Sequence, residues 1–411
     1  MSFVPLRGVR VIDFTSNIAG PFAAMILAQL GADVVKVEPP GGDDSRFFAS
    51  QVDGVSVVHR YVGAGKRGIA VDLKDADGLR VALDLIRTAD VVIQSMRPGV
   101  ADRLGIGRAA AVAENPGVLY YDVNAFGTGA SGRDLPGYDP IVQAFTGIMT
   151  MNGHDGTPPT RCAPSVVDLG TGQWVAMGVL AALLGRGRGE PVATLETALV
   201  DTAFGLAAYQ ATSALVTGER PPRAGSGNPI AAPYQCYSAS DGYVLIAAPS
   251  QRIWENAVAA LDAPHLLADP RFASVAERSR HRAELETALD EVLGRATVAH
   301  WVERLRVAGV PAGTVNGLEE AVVDEVTVER RTFLPSGGVP LVRLPWLADD
   351  RPLPYTRPAP ELGEHTREVL DELGYPAERI EELATRSVVV IPPTRSLQHA
   401  PPPPERAHHV R

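Results

Sequence analysis

The sequence predicts an α/β protein in which a large Rossmann-like domain with an open parallel sheet is joined to a smaller α/β domain. Three observations support this prediction. Short apolar runs alternate with helical segments through residues 9–123, a segment rich in proline and glycine follows at residues 218–233, and strand and helix signals resume beyond it. With 411 residues, the chain is long enough for more than one hydrophobic core.

The first three elements are predicted to form a β-α-β unit. Residues 9–14, V-R-V-I-D-F, have the composition of a buried strand. Residues 21–30 are predicted to form a helix with proline in its first turn, which Gly31 ends, and residues 33–37 are predicted to form the next strand. Such a unit implies parallel strands joined by a right-handed crossover.

The remainder of the large domain, residues 1–217, continues this alternation. The apolar helix predicted at residues 174–184 is too short to cross a bilayer, so we expect it in the core of this domain. The predicted strands lie at residues 69–73, 90–94 and 118–123, and the predicted helices at 77–88, 100–114, 174–184 and, for the most part, 194–217.

The second half is predicted to contain four further segments. Residues 218–233 are expected to form a Gly/Pro-rich linker, and residues 234–325 the small α/β domain, with a strand at 242–248 and helices at 254–261, 281–293 and 297–308. Residues 326–390 are expected to return to the large domain as an extended segment with one helix at 366–373. Residues 391–411 are expected to form a disordered proline-rich tail, where His399, His408 and His409 lack the fixed geometry that a metal site needs.

Composition narrows the classes of partner. The net charge of -10 and the absence of a dense basic block argue against nucleic acid, and no apolar run approaches the length of a membrane span. The two cysteines, Cys162 and Cys236, cannot build a disulfide framework and are expected to be ordinary buried thiols in a cytoplasmic protein. With no cluster of ligating residues, neither a metal nor a permanently bound cofactor is expected.

The N-terminal β-α-β unit raises the possibility of a dinucleotide site, with Glu38 as the acid that binds the ribose. The turn after the first strand, T-S-N-I-A-G-P, contains a single glycine and lacks G-x-G-x-x-G. NAD binding is therefore disfavoured. The backbone amides of this turn would still suit a phosphate or another polar part of a ligand.

Asp168 is the most informative residue of the chain. It lies in P-S-V-V-D-L-G-T-G, directly before the predicted apolar helix, where the positive end of the helix dipole favours an ionised carboxylate. A positioned carboxylate can attack an activated acyl group, although a plain N-cap is the alternative on local sequence alone. Thirty positions upstream lie Gly137, Tyr138 and Asp139.

A series of motifs runs in order along nearly the whole chain and resembles the family III CoA-transferases, which include the formyl-CoA, carnitine and bile-acid CoA-transferases and the related alpha-methylacyl-CoA racemases. The motifs are L-R-G-V-R-V-I-D-F at 6–14, A-G-P-F-A at 19–23, L-G-A-D-V-V-K-V-E-P-P-G-G-D at 30–43, A-G-K-R-G-I-A-V-D-L-K at 64–74, A-D-V-V-I-Q-S-M-R-P-G-V at 89–100, D-R-L-G at 102–105, A-F-G-T-G at 125–129, P-G-Y-D-P-I-V-Q-A at 136–144, V-D-L-G-T-G at 167–172, P-Y-Q-C-Y at 233–237, D-G-Y-V at 241–244, D-P-R-F at 269–272, G-V-P-A-G at 309–313 and L-G-E-H-T at 362–366.

The resemblance implies that CoA moves from an acyl-CoA to a free carboxylic acid, with Asp168 as nucleophile and with anhydride and aspartyl-CoA thioester intermediates. Gly225 and Gly227 are candidates for a loop that supplies or shields oxyanion donors, or else belong to a plain linker. The CoA thioester is a substrate, and the candidate CoA contacts are Asn17, Ile18, Ala19, Lys66, Arg67, Ser95, Met96, Arg97 and Arg103.

The racemase branch of the same family is an alternative. That branch has a histidine 30 positions before the aspartate, whereas this chain has Tyr138, and a phenol with an ordinary pKa of about 10 is a poor partner for proton exchange at neutral pH. His154 lies in a predicted loop tip and is expected to be exposed. Asp139 is expected to hold Tyr138 or a backbone group. Transfer is therefore favoured over racemisation, and a CoA-binding protein without catalysis is the third hypothesis.

The resemblance also implies an interlocked homodimer in which two chains thread through each other. The long extended return of residues 317–365 is compatible with that assembly. The active site would then lie between the large domain of one chain and the small-domain loop of the other.

Overall fold

A computed structural model of the chain describes residues 3–48 and 50–393. The three tail histidines, and all of the predicted disordered tail except its first three residues, lie outside these ranges. The strands are β1 Arg10–Phe14, β2 Asp33–Glu38, β3 Gln51–Val52, β4 Val55–Ser56, β5 Arg67–Val71, β6 Val91–Gln94, β7 Leu119–Asn124, β8 Thr194–Ala198, β9 Tyr234–Ala239, β10 Gly242–Ala247, β11 Ala312–Thr314, β12 Phe333–Ser336, β13 Val339–Val342, β14 Leu347–Ala348, β15 Arg351–Pro352 and β16 Val389–Val390.

The helices alternate with these strands in the large domain and dominate the small one. Short 3₁₀ turns lie at Asp44–Phe47 and Pro270–Phe272. The α-helices are α1 Ala19–Gln29, α2 Val57–Val62, α3 Ala76–Arg87, α4 Val100–Arg103, α5 Arg108–Glu114, α6 Asp139–Phe145, α7 Ile148–Met151, α8 Val166–Gly187, α9 Leu199–Leu206, α10 Ala208–Thr217, α11 Gln251–Ala260, α12 His265–Ala268, α13 Val275–Arg280, α14 Arg282–Leu293, α15 Val298–Val307, α16 Leu318–Ala321, α17 Glu325–Glu329, α18 Thr366–Glu372 and α19 Ala377–Thr385.

The large domain is built on a seven-stranded sheet of order β16-β5-β2-β1-β6-β7-β8. All neighbours pair in parallel except β16, which joins β5 antiparallel. The chain first builds outward from β1 through β2 to β5 and then returns to build β6, β7 and β8 on the other side. The predicted open parallel sheet is thus confirmed, with its strand order reversing between β1 and β6, which is where open α/β sheets bind ligands.

Two layers of helices cover the sheet. On one face, α1 and α8 bury apolar side chains such as Met25, Leu27 and Val175 against the strands. On the other, α3, α18 and α19 bury Leu85, Val369 and similar residues. The C-terminal helices α18 and α19 therefore share a core with this face of the large sheet.

The small domain has its own core around Trp254, Phe272 and Leu289. Its sheet has the order β11-β10-β9 with antiparallel pairs, and helices α14 and α15 pack against it. The proline-rich segment that leads into β9 contains a cis peptide bond between Ala232 and Pro233.

Several predicted element boundaries were wrong. The apolar helix runs over Val166–Gly187 rather than 174–184, because glycines 170 and 172 pack closely against neighbouring elements and do not interrupt it. The stretch predicted as mostly helical from residue 194 opens with β8, the edge strand of the large sheet. The helix predicted at 100–114 is two short helices, because Gly105 takes a positive φ between them.

By length and apolar composition alone, α8 is the one helix in the described part of the chain that could cross a membrane. Core helices satisfy the same two criteria, and one side of α8 packs along α1 over the sheet. Its other side exposes Trp174, Met177 and Leu184.

Candidate active site

Two chain turns meet where the strand order reverses. One follows β1 and contains residues 15–18, and the other follows β6 and contains residues 95–99. Because the carboxyl ends of neighbouring parallel strands lie at the same edge, these turns are adjacent, and the Ser16 amide donates to Ser95 Oγ at 2.8 Å.

A cavity of about 400 Å³ opens at this edge of the sheet. Its lining combines both turns with the first turn of α8 and with the loop before α6. The residues predicted from sequence that line it together are Asn17, Ile18, Ala19, Ser95, Met96, Arg97, Tyr138 and Asp168. The tertiary structure thus brings most of the candidate CoA contacts to the candidate nucleophile.

Asp168 lies inside the first turn of α8, not before the helix, so the N-cap interpretation was wrong. The N-cap is Ser165, whose side chain makes no capping hydrogen bond. The capping role falls to the buried carboxylate of Asp139, whose Oδ2 accepts from the amides of Val167 at 2.8 Å and Asp168 at 3.2 Å. Asp139 therefore holds a backbone group, one of the two partners expected for it.

The electrostatics of Asp168 also differ from the sequence-based expectation. The helix dipole predicted a readily ionised carboxylate, but burial raises the pKa of Asp168, and the nearby negative charge of Asp139 raises it further, to about 7. Desolvation and a like charge thus outweigh the dipole. A carboxyl with this pKa is partly ionised at neutral pH, a condition typical of catalytic carboxyl groups.

Four further residues that the sequence analysis discussed have distinct placements. Tyr138 is 60% exposed and lines the cavity. His154 lies in an exposed loop, as predicted. Cys162 and Cys236 are free and half-buried, so they are less buried than expected.

Lys66 and Arg67 must be withdrawn as CoA contacts. Lys66 is fully buried, and its Nζ is paired with Asp13 at 2.8 Å. Arg67 binds Asp33, Glu368 and Glu372. Both residues stand at the amino end of β5, where the fold uses their charges in internal ion pairs and leaves neither free for a phosphate.

The remaining candidates lie outside the cavity lining. Arg103 is exposed on α4 beside the turn that contains Arg97. The amides of Gly225 and Gly227 already donate, to the carbonyls of Gly153 and Ala224. In this arrangement of a single chain, these two glycines offer no free oxyanion donors.

The structure adds Lys74 as a candidate contact that the sequence analysis did not identify. A second cavity of about 260 Å³ shares Ser16, Asp44 and Met96 with the first and is also lined by Lys74. Lys74 is exposed and follows β5 at its carboxyl end. Its position directly after a predicted strand was the signal that could have identified it.

The sequence disfavours a dinucleotide site at Glu38 and predicts no metal site. Glu38, the candidate ribose acid, is buried and bound by Arg46 through two hydrogen bonds of 2.6 Å, so its carboxylate is already engaged. Within residues 3–48 and 50–393, no group of three or more His, Cys, Asp or Glu side chains has an arrangement that could hold a metal ion.

The comparison with family models identifies the chain. The model described as CoA-transferase family III matches residues 6–366. The chain belongs to CoA-transferase family III. The match includes Asp168 and every residue that lines the cavity.

Curated relatives agree with this assignment over nearly their whole length. The chain is 33% identical to the acetyl-CoA:oxalate CoA-transferase of Acetobacter aceti, covering 90% of this chain and 96% of that protein. It is 32% identical to the succinate–glutarate CoA-transferase of Agrobacterium fabrum (strain C58), covering 93% and 98%. A crystal structure of a CAIB/BAIF family protein from Brucella suis superposes with a TM-score of 0.82 at 32% identity, covering 90% of this chain and 99% of that one.

Proposed function

We propose that this family III enzyme transfers CoA from an acyl-CoA to a free carboxylic acid and that Asp168 carries the transferred groups. The observation on which this rests is the shared cavity, which places the half-buried carboxyl of Asp168 beside the turns that contain Asn17 and Met96. The relatives are named for oxalate and for succinate and glutarate, so short dicarboxylic acids are the first acceptors to test.

The proposed reaction begins with ionised Asp168. Its carboxylate oxygen attacks the thioester carbonyl, the carbon–sulfur bond breaks and CoA leaves as thiolate, which gives an acyl-aspartyl anhydride. The thiolate attacks the aspartyl carbonyl and releases the donor acid, leaving an aspartyl-CoA thioester. The acceptor carboxylate attacks the aspartyl carbonyl and displaces the CoA thiolate, which gives a second anhydride. The thiolate then attacks the acyl carbonyl of the acceptor, so that the new acyl-CoA forms and Asp168 is freed. No proton is consumed over the cycle.

The two cavities offer CoA a continuous path. We place the thioester end in the cavity that contains Asp168, with Arg97 as a phosphate contact near its mouth. The adjoining cavity with Lys74 would take the adenosine end. Arg103, exposed beside the turn that contains Arg97, remains a candidate phosphate contact.

Tyr138 favours transfer over racemisation. It stands 30 positions before Asp168, where the racemase branch has a histidine, and among the described residues that line the cavity there is no histidine. Incorporation of deuterium at the α carbon of an acyl-CoA without any acceptor acid would contradict this choice.

The deciding experiment is intact-mass analysis after incubation with acetyl-CoA or succinyl-CoA, followed by trapping with hydroxylamine. We expect an acyl or CoA adduct before trapping and a hydroxamate at Asp168 after it, since hydroxylamine displaces the bound group, and both should be absent from Asp168→Ala. Asp155→Ala is the matched control, because Asp155 is an exposed carboxylate in the nearby 152–157 loop and should leave labelling unchanged. A wild-type spectrum without any adduct for all donors would refute the aspartyl mechanism.

We also propose that the chain works as a homodimer. Large apolar side chains are exposed on successive helices of the large domain, including Trp174 on α8, Phe204 on α9 and Leu215 on α10, the last 87% exposed. Large exposed apolar side chains on neighbouring helices are typical of an interface. The extended return and its exposed short helices, α16 and α17, are compatible with threading between two chains.

A further inference from the structure

A compact cluster of charged side chains lies beneath the turn that follows β1. Its members are buried, or nearly so, and each is paired within the cluster. Three are cations and three are anions, so the cluster carries no net charge: Lys36, Arg46 and Lys66, with Asp13, Glu38 and Asp43. None of these six lines the cavity that contains Asp168, whereas Lys36, Glu38 and Asp43 line the adjoining cavity.

Lys66 holds one side of the turn. Its Nζ donates to Asp13 Oδ2 and to the Pro21 carbonyl, each at 2.8 Å. The other oxygen of Asp13 accepts from both the amide, at 3.0 Å, and the hydroxyl of Thr15. Lys66 and Asp13 thus fix the two ends of the segment that contains Asn17.

Lys36 holds the other side. Its Nζ donates to the carbonyl of Thr15 and to Asp43 Oδ2 at 3.2 Å. The second oxygen of Asp43 accepts the amide of Asn17 at 3.3 Å. Asn17 has a φ of 66°, a left-handed conformation that is uncommon outside glycine and that asparagine adopts more readily than most other residues.

The same turn also contacts the helix that carries the nucleophile. The Ala19 carbonyl lies so close to Gly172 of α8 that a Cβ on Gly172 would come within 2.6 Å of it. Gly172 is about one helical turn beyond Asp168. A displacement of the turn would therefore change both the CoA-binding wall and its fit against α8.

We propose that Lys66 is a positioning residue that holds the turn of residues 15–19 in the shape that binds CoA, without contacting CoA itself, while Lys36 holds the same turn from the wall of the adjoining cavity. This inference rests on the proposed function, since it assumes that the turn binds CoA. It assigns a role to Lys66 that differs from the direct contact predicted from sequence.

The test compares two adjacent buried cations. Lys66→Met removes the bonds to Asp13 and Pro21, whereas Arg67→Met removes ion pairs to Asp33, Glu368 and Glu372 that do not reach the turn. The dissociation constant of free CoA is measured by titration calorimetry and the stability of each variant by its thermal unfolding midpoint. We expect Lys66→Met to weaken CoA binding by about tenfold or more. We expect Arg67→Met to keep the dissociation constant within about twofold of the wild-type value, even if its unfolding midpoint falls as much as that of Lys66→Met.

Thr15→Val serves if Lys66→Met does not fold, because it replaces the buried hydroxyl that donates to Asp13 by a methyl group. We expect it to weaken CoA binding by about threefold, in line with the loss of one ordinary hydrogen bond. If the variant that is measured, Lys66→Met or its replacement Thr15→Val, binds CoA as tightly as the wild type, the inference is overturned. The proposed function would remain intact. Equal weakening in Lys66→Met and Arg67→Met would also overturn the inference. A wild-type protein that does not bind CoA would overturn both.

Discussion

Asp139 caps the helix that carries Asp168, since one oxygen of its buried carboxylate accepts the backbone amides of Val167 and Asp168. The same carboxylate places a negative charge near the Asp168 side chain and helps to raise its pKa to about 7. One residue thus positions the helix and tunes the candidate nucleophile. This arrangement makes the pH dependence of the reaction a direct probe of the site.

We expect kcat/KM for acyl transfer to rise as pH increases through about 7, because only ionised Asp168 attacks the thioester. Asp139→Asn removes the neighbouring charge while keeping a side-chain oxygen that can accept the two amides. The rising limb of the profile should therefore move to lower pH, though not to the ordinary value, because burial is the larger cause. The profile is measured in initial-rate assays from pH 5 to 9, and an unchanged limb in Asp139→Asn would contradict the assignment.

The stability of the fold should also depend on the charge of Asp168. Its pKa is raised in the folded state, so folding takes up a proton between about pH 4 and pH 7, and stability falls as pH rises through this window. Asp168→Asn removes the unfavourable charge and should raise the thermal midpoint at pH 8 by about 2–4 °C. At pH 4 the gain should vanish. Asp155→Asn, which changes an exposed carboxylate, is the control and should show no such pH-dependent difference.

Close packing between α1 and α8 should make Gly172 intolerant of a side chain. A Cβ there would lie 2.6 Å from the Ala19 carbonyl and 2.8 Å from Phe22 Cδ1. We expect Gly172→Ala to cost about 1–3 kcal/mol of unfolding free energy and to lower transfer activity. Gly187→Ala, in the same helix with no atom within 4 Å, should be neutral or slightly stabilising. Urea denaturation compares the two variants, and equal stabilities would refute the packing argument.

The proposed interlocked homodimer makes a specific prediction about dilution. The protein should sediment at twice the mass of one chain, and it should stay dimeric from micromolar to low nanomolar concentration, because threaded chains separate only on unfolding. A dimer formed only by the exposed apolar surface near Leu215 would dissociate within that range. Sedimentation velocity with a fluorescent label distinguishes the two, and a monomer at micromolar concentration would exclude the homodimer.

The adjoining cavity provides a test of CoA placement. Lys74→Ala should raise the KM for acyl-CoA by about three- to tenfold with little change in kcat, because a lost charge contact far from the reacting atoms weakens ground and transition states equally. The same variant should bind 3′-dephospho-CoA and CoA more similarly than the wild type does, if Lys74 contacts the adenosine 3′-phosphate. Identical KM values for the wild type and Lys74→Ala would remove Lys74 from the site.

Much of the candidate site could be predicted because its parts follow strands directly. Asn17 and Met96 come just after β1 and β6, and neighbouring parallel strands bring such residues to one edge. Arg67 was misassigned because it starts β5 at the amino edge, and the acids that bind it come partly from α18, about 300 positions away along the chain. Local sequence contains no signal of such a distant partner.

The sequence by itself determined the alternation of strands and helices, since this depends on local periodicity and turn residues, and its ordered motifs predicted Asp168 as the candidate nucleophile. The tertiary structure alone decided that Asp139 caps α8, that the pKa of Asp168 is raised, and that Lys66 is paired inside the core. The physical reason is that burial and charge pairing depend on which distant segments fold together. These contacts set the energy of an ionised group, while the residue type sets only its starting value.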